Sequence, residues 1–260
     1  MPLLDLQIAL VDMIHAPAGT IKKSVATNNL LTNKERHWLE ALASTPGYRV
    51  TCEVQKWWRK ARLQMSAPLT LRLLQRIQLE SLLEDYIESV PCNSLFFAPE
   101  VIGLRDFIID NSAPEPGDSR ELLIAVINFE SALILVNEYQ HPETEYGEAG
   151  DNPLPECLFN SVTVVVAPGV TRISFPASPD KLLGALILSQ PLPEIGNGPY
   201  SVLVAPSIDK LWRPAGPVED EILRCCQSPC HLSALLDRGQ DFIAAVESLL
   251  NEKLLILHSS

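Results

Sequence analysis

"YSVLVAPSIDKLWRPAGPVEDEILRCC", residues 200–226, is the stretch from which the fold can be read outward. Its first sixteen residues read as a β-hairpin, two short apolar runs around a Pro/Ser/Asp turn. Pro217 then suits the first turn of a helix, with Glu219, Asp220 and Glu221 near the positive end of the helix dipole. Helical spacing continues over 217–227, 231–238 and 240–252, and "KLLILH" (253–258) reads as a terminal strand. A hairpin followed by three short helices and a strand predicts a winged-helix-like element over about 198–260.

Upstream, "SVTVVVA" and "VTRISF" are β-branched runs around Pro168-Gly169 and read as a strand pair. A short helix is expected over 179–188. Residues 141–156, "HPETEYGEAGDNPLPE", are rich in Pro, Gly and acids, so a boundary is placed there. The expected organisation is α+β: a helical domain over 1–145 and an α+β domain over 155–260.

The N-terminal half carries helix signals throughout. Thr32 and Glu35 form a capping-box pattern. In "TCEVQKWWRKARLQM" (51–65), Val54, Trp57, Trp58, Ala61 and Met65 recur at helical spacing, while Lys56, Arg59, Lys60 and Arg62 lie mostly off that stripe. The pattern predicts a helix with a basic outer face and packed tryptophans. Helical spacing follows from Ser66 and Pro68 to Pro91, a short helix is expected at 100–109, and Asp118 with Glu121 opens a long apolar helix ending near Tyr139.

Composition narrows the function classes. The chain has 260 residues, of which 47% are apolar, and a net charge of -12. Indiscriminate nucleic-acid binding fits poorly with that charge, because neutralising phosphates supplies its sequence-independent affinity. Residues 49–76 hold seven Lys/Arg against Glu53, whereas 80–148 are strongly acidic. No run reaches the roughly 18 apolar residues of a membrane span, and the first residues lack the basic start of a secretory signal. A cytoplasmic location and free thiols are expected.

"LRCCQSPCHL" (223–232) is the most chemical-looking stretch. Adjacent Cys225 and Cys226 diverge by about 100° on a helix and cannot readily share one ion. Cys230 and His231 add at most half a zinc site, so packing is the expected role and no metal is assigned. A zinc or thiol enzyme using these four residues is the competing reading. Nucleotide-binding and hydrolase signatures are missing, which favours a binding subunit with no catalytic residue of its own.

The order of segments resembles a family of partner proteins of multinuclear iron enzymes in ribosomal-peptide modification. These are the methanobactin-pathway partner (MbnC type), the 3-thiaglutamate-pathway partner (TglI type) and their HvfC-like relatives. The resemblance lies in "RELLIAVINFESALILVNEY", "APGVTRISFPASPDKLLGAL" and the stretch quoted at the outset, and is closer to the TglI type; the end of the chain resembles a PqqD-like leader-recognition element. It implies a cytoplasmic, non-catalytic subunit that forms a heterodimer with a TIM-barrel enzyme. The iron resides in that partner, and no cofactor is expected in this chain. The subunit would present a precursor peptide for oxidative carbon excision at a C-terminal cysteine. On this reading Leu211, Trp212 and Arg213 receive the peptide as an added strand, Phe242, Val246 and Leu249 support it from the last helix, and Trp57 and Trp58 are candidates for the enzyme interface. The alternative is a winged-helix DNA-binding regulator, against which the acids Asp241, Glu247 and Glu252 of the last helix argue.

Overall fold

A computed structural model describes residues 3–15, 31–91, 96–111, 119–138, 162–196 and 198–259. The chain divides into two compact units, Met1–Ala113 and Pro114–Ser260. The first is helical; the second is mixed α+β, with two small antiparallel sheets.

The helical unit contains α1 (Leu3–His15), α2 (Asn33–Ala43), α3 (Pro46–Ser66), α4 (Pro68–Arg76), α5 (Ser81–Ser89) and α6 (Phe97–Asn111). Local chemistry sets the helix starts. Thr32 caps α2 in the expected box: its Oγ1 accepts from Glu35 N, while Glu35 Oε2 accepts from Thr32 N at 2.8 Å. Thr45 caps α3, with Pro46 in the first turn, where its missing N–H costs nothing. The predicted continuous helix from Ser66 to Pro91 is instead two helices. Gln78 takes a left-handed backbone conformation (φ 58°) that ends α4, and α5 starts afresh at Ser81.

The face α3 turns inward is the reverse of the sequence expectation. Arg59 and Arg62 are buried, whereas Val54, Trp57, Trp58 and Met65 are exposed. Arg59 Nε donates to Glu100 Oε1 at 2.8 Å, and Arg62 Nη2 donates to Glu100 Oε2 at 3.0 Å. Arg59 Nη1 also caps the C-terminal end of α5, donating to the carbonyls of Ile87 (2.9 Å) and Val90 (2.7 Å). Its guanidinium lies 4.8 Å from the centre of the Tyr86 ring. Burial is tolerated because the charges are paired and hydrogen-bonded.

The second unit begins with α7 (Ser119–Glu138), then β1 (Val162–Val166), β2 (Thr171–Phe175), α8 (Pro179–Leu188), β3 (Tyr200–Val204) and β4 (Trp212–Ala215). It ends with α9 (Pro217–Cys225), β5 (Cys230–His231), α10 (Leu232–Leu236), α11 (Gln240–Asn251) and β6 (Leu255–Ser259). Helix α7 was expected to close the helical domain at 145; it packs instead on β2 and β3. Its near-continuous apolar surface finds a sheet to cover, and Phe129 meets Phe175 edge-on with ring centres 6.0 Å apart.

The expected hairpin forms: β3 pairs antiparallel with β4, Val204 opposite Trp212 and Ser201 opposite Ala215. The expected pairing of β1 with β2 does not. Strand β1 lies between β5 and β6, while β2 pairs with β3. Alternating Val162, Val164 and Val166 pack with Leu203, Ile222, Leu223, Leu232, Val246, Leu249 and Leu254 in one core. The C-terminal helices therefore share their sheet and core with a strand that precedes residue 198.

Candidate functional site

The hairpin and the last helix meet through Arg213. Its Nε donates to Glu252 Oε2 at 2.8 Å, just beyond α11, and its Nη2 donates to Glu219 Oε1 at 2.7 Å on α9. Glu219 Oε2 also accepts from Gly216 N at 2.8 Å, at the start of α9. Burial by itself would raise the Glu219 pKa; the Arg213 and Gly216 hydrogen bonds outweigh it and hold the carboxyl below its usual range. On the same sheet face, Arg172 Nη1 donates to Asp220 Oδ1 at 2.7 Å. Two arginines of one sheet thus fasten α9 beside it.

Strand β4 is an edge of the sheet β2-β3-β4. Leu211 has a left-handed backbone (φ 63°); its carbonyl accepts from Ala205 N at 2.9 Å and its N–H donates to Ile208 at 2.7 Å, closing the hairpin. That bonded pair fixes the alternation: Leu203/Arg213 and Ser201/Ala215 exchange bonds across the ladder, while Trp212 and Pro214 aim their main-chain groups outward. Pro214 has no N–H to offer, and its carbonyl accepts from Arg213 Nη1 at 2.9 Å. The free edge thus reduces to the N–H and C=O of Trp212.

The predicted side chains divide by role. Trp212 is half-buried with its ring against Phe129, centre to centre 5.4 Å. Phe242 is half-buried on α11, with the Arg238 guanidinium 5.3 Å from its ring centre. Val246 and Leu249 are buried within the shared core, so they support α11 from beneath. Arg213 reaches the C-terminal end of α11 through Glu252 and is spent on internal bonds, whereas Phe242 lies in the first turn at the opposite end of that helix. Sequence reading placed Glu219 by the helix dipole but missed its bond to Arg213; the Gly-Pro-x-Glu order, 216–219, was the available signal.

In the cysteine stretch, Cys225 ends α9, Cys226 is fully buried, and Cys230 with His231 forms β5, with His231 also at the N-cap of the expected next helix, α10. Burial, with Cys230 and Cys225 adding to it, pushes the Cys226 thiol up to about 12. Such a thiol stays protonated and is a poor nucleophile. Among the described residues, no three or more His, Cys, Asp or Glu side chains converge as metal ligands, and no helix is long and apolar enough to cross a membrane. Trp57 and Trp58 lie exposed on α3, edge to face with ring centres 5.0 Å apart.

Neither known protein families nor curated protein sequences contain a match to this chain.

Proposed function

We propose that this chain is a non-catalytic partner subunit that binds the leader of a precursor peptide and presents the peptide to an iron-dependent TIM-barrel oxidase, as in 3-thiaglutamate biosynthesis. The observation that carries the reading is the Arg213–Glu252 bond, which holds the edge strand β4 beside the last helix. A peptide adding a strand needs those two surfaces side by side. The order β5, α10, α11, β6 with β1 between the two strands supports a winged-helix-like frame, in which β1 completes the wing from upstream in the chain.

The peptide's main chain pairs with the outward N–H and C=O of Trp212, and its side chains rest on the exposed side of α11 around Phe242. Pro214 limits the strand pairing and sets its register. Asp241 and Glu247 give α11 an acidic surface that suits a basic leader better than duplex phosphate. The iron remains in the partner enzyme, and this subunit contributes by positioning the reacting cysteine.

The test is leader-peptide binding by the purified chain, alone and co-purified with a TIM-barrel iron enzyme of the proposed class. Binding that weakens in Trp212→Pro, which removes the outward N–H of Trp212 on β4, is the expected result. No binding by either preparation would sink the proposal.

A further inference from the structure

Helix α3 leaves a complete apolar stripe uncovered on the side opposite Arg59, Leu63 and the buried ion pairs. Val50 is 62% exposed, Trp57 61%, Trp58 52% and Met65 74%, with Val54 exposed between them and Ala61 half-buried. The positions 50, 54, 57, 58, 61 and 65 are symmetric about the midpoint between Trp57 and Trp58: Val50 mirrors Met65, Val54 mirrors Ala61, and Trp57 mirrors Trp58. We propose that this stripe, instead of meeting the iron enzyme as the resemblance implied for Trp57 and Trp58, is the interface of a homodimer, in which α3 packs antiparallel against α3 of a second copy across a two-fold axis at Trp57/Trp58.

A two-fold interface is self-complementary: each residue meets the one that mirrors it. The stripe meets that condition along its length. Large Met65 faces Val50, small Ala61 faces Val54, and the two tryptophan pairs stack at the centre, where binding energy concentrates. Antiparallel packing about such an axis also brings like flanks together. On one flank, exposed Glu53 and half-buried Lys60 bracket nearly the same midpoint, so Glu53 of each copy faces Lys60 of the other. Lys60 already donates to Glu84 at 2.6 Å, which holds its ammonium on that flank.

Sedimentation velocity of the full chain over a concentration series tests the proposal. The expected result is a reversible monomer–dimer equilibrium. The exposed-surface variant Trp57→Ser/Trp58→Ser should raise its dissociation constant roughly thirtyfold or more while the helical circular dichroism stays unchanged. Glu53→Lys and Lys60→Glu should each weaken the dimer, and the double exchange should restore it, because it rebuilds the cross-copy pairs with reversed sign. A chain that is monomeric throughout, or a dimer indifferent to the tryptophans, overturns the proposal. So does a failed double-exchange rescue, or a monomer that uses this stripe to bind only a different protein.

Discussion

Arg59 on α3 donates its Nε to the Glu100 carboxylate on α6 at 2.8 Å, with 5% and 3% of the two side chains exposed. This pair, shared with Arg62, decides which face of α3 turns inward and leaves the tryptophans outside. Glu100→Ala strands two buried guanidinium groups without their carboxylate. The expected loss is about 3–5 kcal/mol of unfolding free energy, read as a lower denaturation midpoint in urea. A loss below about 1 kcal/mol would mean that the pair is solvated.

Arg213 fastens the hairpin to α9 and α11. Arg213→Met keeps much of the stem and removes three charge-assisted donors, with an expected cost of about 1–2 kcal/mol after allowing for partial exposure. Hydrogen exchange should rise at β4 and the first turn of α9 but not at β1 or β6. Uniformly faster exchange across the unit would count against a local clasp.

The pH dependence follows from Glu219, whose pKa is held below the ordinary carboxylate range in the folded chain. A depressed folded pKa means that its stabilising contribution is present above the unfolded value and is lost as pH falls through the folded one. Stability measured on that descent should fall less steeply in Arg213→Met than in the parent chain. Parallel acid profiles would remove Glu219 from the account.

Leu249 is fully buried beneath the proposed peptide surface. Leu249→Ala should cost about 2–5 kcal/mol through the cavity it leaves, whereas substitution of half-buried Phe242 by Leu should alter peptide affinity more than thermal stability. Peptide titrations beside melting curves separate the two effects. Equal effects of both variants on affinity at matched stability would mean that Leu249 touches the peptide.

Cys226 should be the slowest of Cys52, Cys225, Cys226 and Cys230 to alkylate in the native chain near neutral pH. It is the buried member of these four and its thiol is shifted to about 12. Peptide mapping after a timed pulse of iodoacetamide reads the order directly. Rapid labelling of Cys226 with the fold intact would contradict its place in the core.

The hairpin, the helix starts at Thr32 and Pro217, and the run of short helices after residue 217 were legible because each depends on neighbours a few residues away. The proposed peptide site was half legible. Trp212 falls on the edge strand, but Leu211 sits in the turn with its N–H and carbonyl already bonded, Arg213 is engaged by Glu219 and Glu252, and Val246 and Leu249 lie under the surface. A stripe at helical spacing says that α11 is amphipathic; it does not say which positions the facing strand covers.

The sequence by itself determined most of the elements and the mixed α+β class, because capping, proline placement and apolar periodicity are short-range. Only tertiary structure decided that β1 joins β5 and β6, that α7 covers β2 and β3, and that α3 buries its arginines instead of its tryptophans. The apolar stripe of α3 and its cationic face have the same period. The choice between them rests on Glu100, 41 residues from Arg59 in the chain, and on the carbonyls of Ile87 and Val90, which make burial of charge cheaper than leaving the pair apart.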